Sequence, residues 1–305
     1  MPKKYNVLVT WSIMKNYIIS NKIHKKKNIN FDFFCKKQSI SKKLLYPIIN
    51  KYDGIICGDD EIDRSIIDRA VRLKVISKWG TGIDSIDQDY CKKKKIKVFN
   101  SPGAFTKSVS QYAIGLLIAF SRSLFEIDRG VRKKKWPKPH GFLMEYKTVG
   151  VIGMGKIGKR IAFLANKLGF EILFYDVKKI KSKFKQVSKK SILKNSDCII
   201  ISCDLNKTSY KLIKLKDLKK MKKNSGIINI ARGPIIDEKS LIFALKKGYI
   251  KFAGLDVFEE EPLNYKSELL KFENCFLGSH NAFNTIEEVN KVNKNTLNNL
   301  FKILS

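Results

Sequence analysis

Three histidines occur in 305 residues, and one of them, His280, stands in the segment ENCFLGSHNAFNT, residues 273 to 285. Histidine has an unperturbed pKa of about 6.5, so it can give and take a proton near neutral pH. By itself, a histidine between an apolar strand end and an Asn-containing turn is an ordinary boundary residue. Two other segments change that reading. In IINIARGPIIDE, Arg232 follows an apolar run that stops at a Gly-Pro, and in GLDVFEEEP the acidic Asp256, Glu259, Glu260 and Glu261 follow another. A fixed cation, a carboxylate and an imidazole at three strand ends can face one crevice, where the imidazole can move a proton.

The segment TVGVIGMGKIGKRIAFLANKLGFEILFYD supplies a reason for such chemistry. Gly153, Gly155 and Gly158 have the G-x-G-x-x-G spacing, follow a β-rich run and open a helical stretch, and Asp176 closes the next strand. In that context the first glycine permits a tight turn, the second lets a pyrophosphate approach the backbone, and the third lets helix pack on strand. The helix N-terminus offers unpaired N–H groups and partial positive charge to the phosphates. A carboxylate at Asp176 accepts from both ribose hydroxyls, which selects NAD(H) over the 2′-phosphorylated NADP(H), although Lys178 and Lys179 follow it. A redox dinucleotide implies hydride transfer, and hydride transfer requires a proton donor or acceptor, a role that suits His280.

The surrounding pattern is that of an α/β protein with two doubly wound, parallel-sheet domains of Rossmann-like or flavodoxin-like type and a cleft between them. Strand candidates YNVLVT, FDFFC, DGIICG, LKVISKWG and IKVFN alternate with helical SKKLLYPIIN and DRSIIDRAV over residues 5 to 100. A second alternating series begins at residue 148, with TVGVIGMG, FEILFYDV, CIIISC, SGIINIA, FAGLDVF and NCFLGSH as strands. Alternation of this kind predicts parallel sheets covered on both faces. Residues 105 to 122 read as a long buried helix, whose apolar part at 109 to 122 exceeds what one small domain readily covers and so points to a homodimer, and the charged stretch with Trp136, Pro137 and Pro139 reads as a linker. The tail, 285 to 305, reads as one amphipathic helix. The predicted division is 1–100 with 285–305 as substrate-binding domain and 101–284 as NAD-binding domain.

Composition excludes several classes. The longest apolar run, AIGLLIAF, is far below the roughly 20 residues of a membrane-spanning helix, and the N-terminus lacks the apolar core of a secretion signal, so a cytoplasmic protein is expected. The six cysteines form no CxxC pair or Cys/His cluster, so neither metal nor disulfide framework is expected. A net charge of +33 suggests nucleic acid at first, but the basic residues are 53 Lys and only 8 Arg. The excess of Lys, Ile and Asn is the residue set of A- and T-rich codons, and the Lys runs lack the aromatic interleaving of a strand-binding groove. No nucleic-acid partner is expected.

Six segments in order, ISKWGTGIDSID, VFNSPGAFTKSVSQ, the glycine loop, NIARGPIIDEKSLIFAL, GLDVFEEEPL and GSHNAFNT, resemble the D-isomer-specific 2-hydroxyacid dehydrogenases, the family of phosphoglycerate, glycerate, D-lactate and formate dehydrogenases. The resemblance implies an NAD-dependent oxidoreductase acting on a small 2-hydroxy or 2-keto acid, and a homodimer paired through the cofactor domain near residues 109 to 122. It implies that Arg232 binds the substrate carboxylate and polarises the keto oxygen, that His280 is the acid-base group, and that Glu261 orients the imidazole and favours its protonated form. Gly80, Thr81 and Gly82 would offer backbone N–H groups to the substrate carboxylate. Lys156, Ile157, Ile230 and Asp256 would join Gly153, Gly155, Gly158 and Asp176 on the cofactor. The chain departs from the family's pattern at Ser279, Phe105 and Ser110-Gln111, which bears on substrate choice. An NAD-sensing corepressor or scaffold without turnover is the competing expectation on the same fold.

Overall fold

The computed structural model describes residues 4–35 and 39–304. The chain divides into two compact units, Met1–Phe105 with Thr285–Ser305, and Thr106–Asn284. In the first unit, β1 (Tyr5–Val9), β2 (Ile29–Phe33), β3 (Gly54–Cys57), β4 (Val75–Lys78) and β5 (Lys97–Phe99) form one sheet in the order β2-β1-β3-β4-β5. All its pairings are parallel. The apolar runs β3 and β4 are buried along their whole length, as central strands covered on both faces must be. SKKLLYPIIN forms only a four-residue helix, Lys42–Leu45, and a 3-10 turn at Ile49–Lys51, because Pro47 between them lacks the N–H that would continue the helix.

The tail forms the helix Ile286–Leu304, and its apolar stripe lies on the first sheet. Gly54 makes room for it: a Cβ there would stand 2.8 Å from Leu304 Cδ1 and 3.0 Å from Leu300 Cδ1. Polar bonds fix its register, with Ser77 Oγ donating to the Thr296 carbonyl at 2.8 Å and Trp79 Nε1 donating to Asn293 Oδ1 at 2.7 Å, both buried. Among the described residues no helix is long and apolar enough to cross a membrane.

The second unit holds seven parallel strands: β6 (Thr148–Ile152), β7 (Glu171–Tyr175), β8 (Lys185–Gln186), β9 (Cys198–Ile201), β10 (Gly226–Asn229), β11 (Phe252–Leu255) and β12 (Cys275–Leu277). Their order, β12-β11-β10-β9-β6-β7-β8, reverses direction between β9 and β6. That is the topological switch point at which doubly wound sheets bind ligands. The two-residue β8 is too short to carry a periodicity that would reveal it in the sequence.

Two expectations change here. Ten of the sixteen residues of the helix Thr106–Ser121 are buried, Leu116 and Phe120 meeting Gly254 and Gly226 of the sheet. The helix is thus covered within one chain, and its length does not call for a second copy. The stretch around Trp136 is likewise no linker, because it lies inside the second unit. Pro137 packs on Gly130 of the helix Leu124–Arg132, and the Phe142 N–H donates to the Ser121 carbonyl at 2.9 Å. The prolines and charges that suggested a connector serve a loop folded back on its own domain.

Candidate active site

The glycine turn stands between β6 and the helix Lys156–Lys167. Gly153 has φ +90°, and a Cβ there would lie 2.6 Å from Cys203 backbone and side-chain atoms, so only glycine fits. Gly158 passes so close to the turn that its Cβ would stand 2.0 Å from the Gly153 carbonyl oxygen. Gly155 caps the helix, and nothing lies within 4 Å of a Cβ built there. The first intrahelical bond runs from Lys159 N–H to the Gly155 carbonyl, which leaves the N–H groups of Lys156, Ile157 and Gly158 ahead of the helical ladder. Open space before an unpaired helix N-terminus fits a dinucleotide pyrophosphate.

Asp176 follows β7 and is half-buried, its Oδ2 accepting from Met154 N–H at 2.8 Å and its Oδ1 from Lys178 N–H at 2.9 Å. Each oxygen keeps a lone pair for a ribose hydroxyl. Lys178 and Lys179 are exposed. Ile230 is buried just past β10, and Cys203 is held as a thiol, burial pushing it up to about 12.

Arg232, Glu261 and His280 also belong to the second unit and follow the carboxyl ends of β10, β11 and β12. His280 Nδ1 lies 2.7 Å from Glu261 Oε2, each side chain about one-fifth exposed. The other oxygen, Glu261 Oε1, accepts from Phe258 N–H at 3.0 Å, so the carboxylate is aimed by its own loop. His280 has a left-handed backbone, φ +54°, an uncommon state for a side chain of this size. Its N–H donates to the Asp256 carbonyl at 2.7 Å, and the Asp256 carboxylate accepts from Asn281 N–H at 3.0 Å and Ala282 N–H at 2.9 Å. Asp256 is 1% exposed. Burial pushes its carboxyl up, and the two backbone donors, His280 and the Tyr112 hydroxyl pull it back down.

Arg232 is half-buried and bonds the Ala231 carbonyl through Nη1 at 2.9 Å. Buried Asn229, a polar residue the apolar strand pattern concealed, shapes this turn: its side chain accepts from Ala231 N–H and donates to the Arg232 carbonyl. Gly233 packs against the next loop, a Cβ there falling 1.8 Å from the Phe258 carbonyl carbon. Glu238 and Glu259 clamp the two loops reciprocally, each carboxylate accepting the other's N–H at 3.1 and 3.2 Å. The Arg232 turn and the Glu261 loop are therefore held as one piece.

Gly80, Thr81 and Gly82 lie in the first unit, immediately after β4. Gly80 has φ +115°, and the carbonyls of Gly80 and Thr81 accept from Ser101 N–H at 2.8 Å and Asn100 Nδ2 at 2.6 Å. Those bonds fix the loop through its oxygens. Trp79 and Phe105 pack beside it with ring centroids 5.4 Å apart.

A sheet with a switch point, a glycine turn before an open helix N-terminus and a carboxylate–histidine pair at neighbouring strand ends are the parts a dinucleotide-dependent oxidoreductase requires. The model of the D-isomer specific 2-hydroxyacid dehydrogenase NAD-binding domain matches residues 114–282, more than half the chain. A glyoxylate reductase from Thermofilum pendens is 36% identical over 277 residues, covering 87% of this chain and 82% of that one. The crystal structure of D-lactate dehydrogenase from Aquifex aeolicus complexed with NAD and lactic acid has a TM-score of 0.86 and 25% identity, over 97% of this chain and 94% of that one. A glyoxylate reductase structure from Paecilomyes thermophila has a TM-score of 0.85 and 26% identity, over 100% and 96%. The chain belongs to the D-isomer specific 2-hydroxyacid dehydrogenase family. It is an NAD-dependent oxidoreductase that interconverts a small 2-hydroxy acid and its 2-keto acid.

Proposed function

We propose that the protein reduces a small, unphosphorylated 2-keto acid of the glyoxylate type to its 2-hydroxy acid. The observation that carries the mechanism is the 2.7 Å pair between His280 Nδ1 and Glu261 Oε2. With Nδ1 given to the carboxylate, Nε2 is assigned to the substrate oxygen, and Glu261 stabilises the imidazolium that proton donation requires. Arg232 receives the substrate carboxylate with two donors of its planar fork and polarises the keto oxygen. The chemistry supplied by NAD(H) when bound is hydride donation to the keto carbon, while His280 delivers the proton to the keto oxygen. In the oxidative direction His280 takes that proton back. Gly153, Gly155, Lys156, Ile157 and Gly158 are assigned to the pyrophosphate, Asp176 to the adenosine ribose, and Ile230 and the remaining acceptor site of Asp256 to the nicotinamide side. In the first unit, the N–H groups of Thr81 and Gly82 take an anion-binding role. The glyoxylate reductase relatives support the substrate size.

Turnover of glyoxylate, hydroxypyruvate, pyruvate and 3-phosphohydroxypyruvate with NADH tests the reading. The highest kcat/KM is expected among the unphosphorylated acids, and turnover of none of the four would refute it. Cofactor choice gives a second check. A carboxylate at Asp176 meets the 2′-phosphate of NADP(H) with like charge, whereas the exposed lysines can turn to solvent at little cost. The expected preference for NADH is at least about tenfold in kcat/KM, or about 1.4 kcal/mol, and it should shrink in Asp176→Ala. Equal efficiency with NADPH would assign the choice to Lys178 and Lys179.

We also propose a homodimer. Leu124, Val131, Trp136 and Leu143 are exposed along the helix Leu124–Arg132 and the loop after it, an apolar display that a monomer does not ordinarily leave in water. Light scattering at micromolar concentration should give twice the 35.1 kDa chain mass. A monomeric mass under those conditions rejects the pairing.

A further inference from the structure

Parallel α/β sheets bind ligands at the carboxyl ends of their strands. At that edge of the first sheet, Trp11 follows β1, Gly58 follows β3, Trp79 and Gly80 follow β4, and Phe105 ends the segment after β5. The backbone at Gly58 lies outside the left-handed region, so glycine there serves space and not conformation. Trp11 takes the space: a Cβ on Gly58 would lie 2.4 Å from Trp11 Cε3 and 3.0 Å from its Cδ2 and Cζ3. From Trp11 a row of rings crosses the strand ends, with centroids 5.5 Å apart at 37° between Trp11 and Trp79, and 5.4 Å apart at 46° between Trp79 and Phe105. Phe105 Cε2 is 3.8 Å from a Cβ built on Gly80, so the row flanks the turn at residues 80–82. Trp79 and Phe105 are 3% and 5% exposed, whereas Trp11 is only partly buried and forms the open end of the row.

An indole is a poor choice if the gap merely needs filling. Trp11 Nε1 is shielded from water and has no hydrogen-bond partner among the described residues, although a buried indole N–H ordinarily finds one. Leucine or phenylalanine would fill an apolar gap without leaving a donor unsatisfied. The ring is also fixed from its backbone, since Trp11 is the N-cap of the helix Ser12–Ser20 and its carbonyl accepts from Lys15 N–H at 3.1 Å. The cation near Gly58 is engaged: Lys78 Nζ donates to Asp59 Oδ1 at 2.9 Å and to the Trp79 carbonyl at 3.1 Å. This corner therefore offers a substrate apolar ring surface, and no cation free of Asp59 for a second negative charge. On the reading that the N–H groups of Thr81 and Gly82 hold the substrate carboxylate, we propose that Trp11 sets the length of the keto acid. The indole occupies the room into which a longer carbon chain would extend, Gly58 admits it there, and the substrate is left with a short, uncharged substituent.

The test is the ratio of kcat/KM for 4-methyl-2-oxopentanoate to kcat/KM for glyoxylate. Trp11→Ala should raise that ratio at least about tenfold, since one methylene accommodated or excluded by an apolar pocket is worth about 10- to 200-fold. The dissociation constant of NADH should stay within about twofold. Trp11→Leu, which disturbs the packing less, should move the ratio in the same direction. Adding Gly58→Leu to Trp11→Ala returns an aliphatic side chain to the same room from the neighbouring strand end, and the ratio should fall back to within about threefold of its original value. A ring needed only for packing would lower kcat/KM for both acids by one factor and leave the ratio where it was. An unchanged ratio in both Trp11→Ala and Trp11→Leu, or a double variant as permissive as Trp11→Ala, would overturn the role of Trp11. Failure of the unaltered enzyme to reduce any unphosphorylated 2-keto acid would instead overturn the reaction on which that role rests.

Discussion

His280→Asn is expected to lower kcat by about 10²- to 10⁴-fold, the usual contribution of a positioned general acid or base, while NADH binds as it does to the unaltered enzyme. Asparagine is the informative replacement because it tolerates the left-handed backbone that this position has, φ +54°. It also keeps a polar group near Glu261 Oε2, so that carboxylate is not left without company. What the amide cannot do is carry a proton to the keto oxygen. The glycine turn at Gly153 to Gly158, to which we assign the cofactor, belongs to a different strand end, and its geometry does not depend on the imidazole. Steady-state kinetics and NADH fluorescence titration on the one variant read the two properties separately. Retention of wild-type kcat would remove His280 from the chemistry.

Arg232→Lys should lower kcat/KM for the keto acid about 10²-fold, or about 2.7 kcal/mol, and leave the dissociation constant of NADH within about twofold. The charge survives the change, so the loss reports geometry. A guanidinium presents planar, paired donors to a carboxylate, and it has a donor to spare for the Ala231 carbonyl, to which Arg232 Nη1 is bonded at 2.9 Å. A lysine ammonium is a point charge on a flexible stem that cannot serve both partners in a fixed plane. The loop itself should hold, since Asn229 and the Glu238–Glu259 clamp define it through backbone groups. An unchanged kcat/KM would mean that the substrate carboxylate is bound elsewhere.

Some of the site was readable because its signals are local. The turn at Gly153 needs a glycine for reasons contained within a few residues, and the strands beside it announce themselves by apolar runs of the right length. Arg232, Asp256 and His280 could be placed at strand ends by the same means. Asn229 could not. Asn229 lies in GIIN, where a single polar residue in a buried strand is the one local hint that a turn depends on it.

From the sequence alone came the alternation of strands and helices, the dinucleotide turn with its acidic partner, and the presence of an arginine, a glutamate and a histidine suited to one reaction. These depend on spacing within a segment, and a segment carries its own periodicity wherever it finally packs. Which side chains meet is a long-range matter. Glu261 Oε2 reaches His280 Nδ1 because β11 and β12 are neighbours in the sheet, and Asp256 braces the turn because it ends the strand beside it. The tail helix belongs to the first sheet because Gly54 leaves room for Leu300 and Leu304, and the Trp136 segment is a folded-back loop because Gly130 admits Pro137. An amphipathic stripe or a pair of prolines is compatible with several partners, and only the packed chain selects among them.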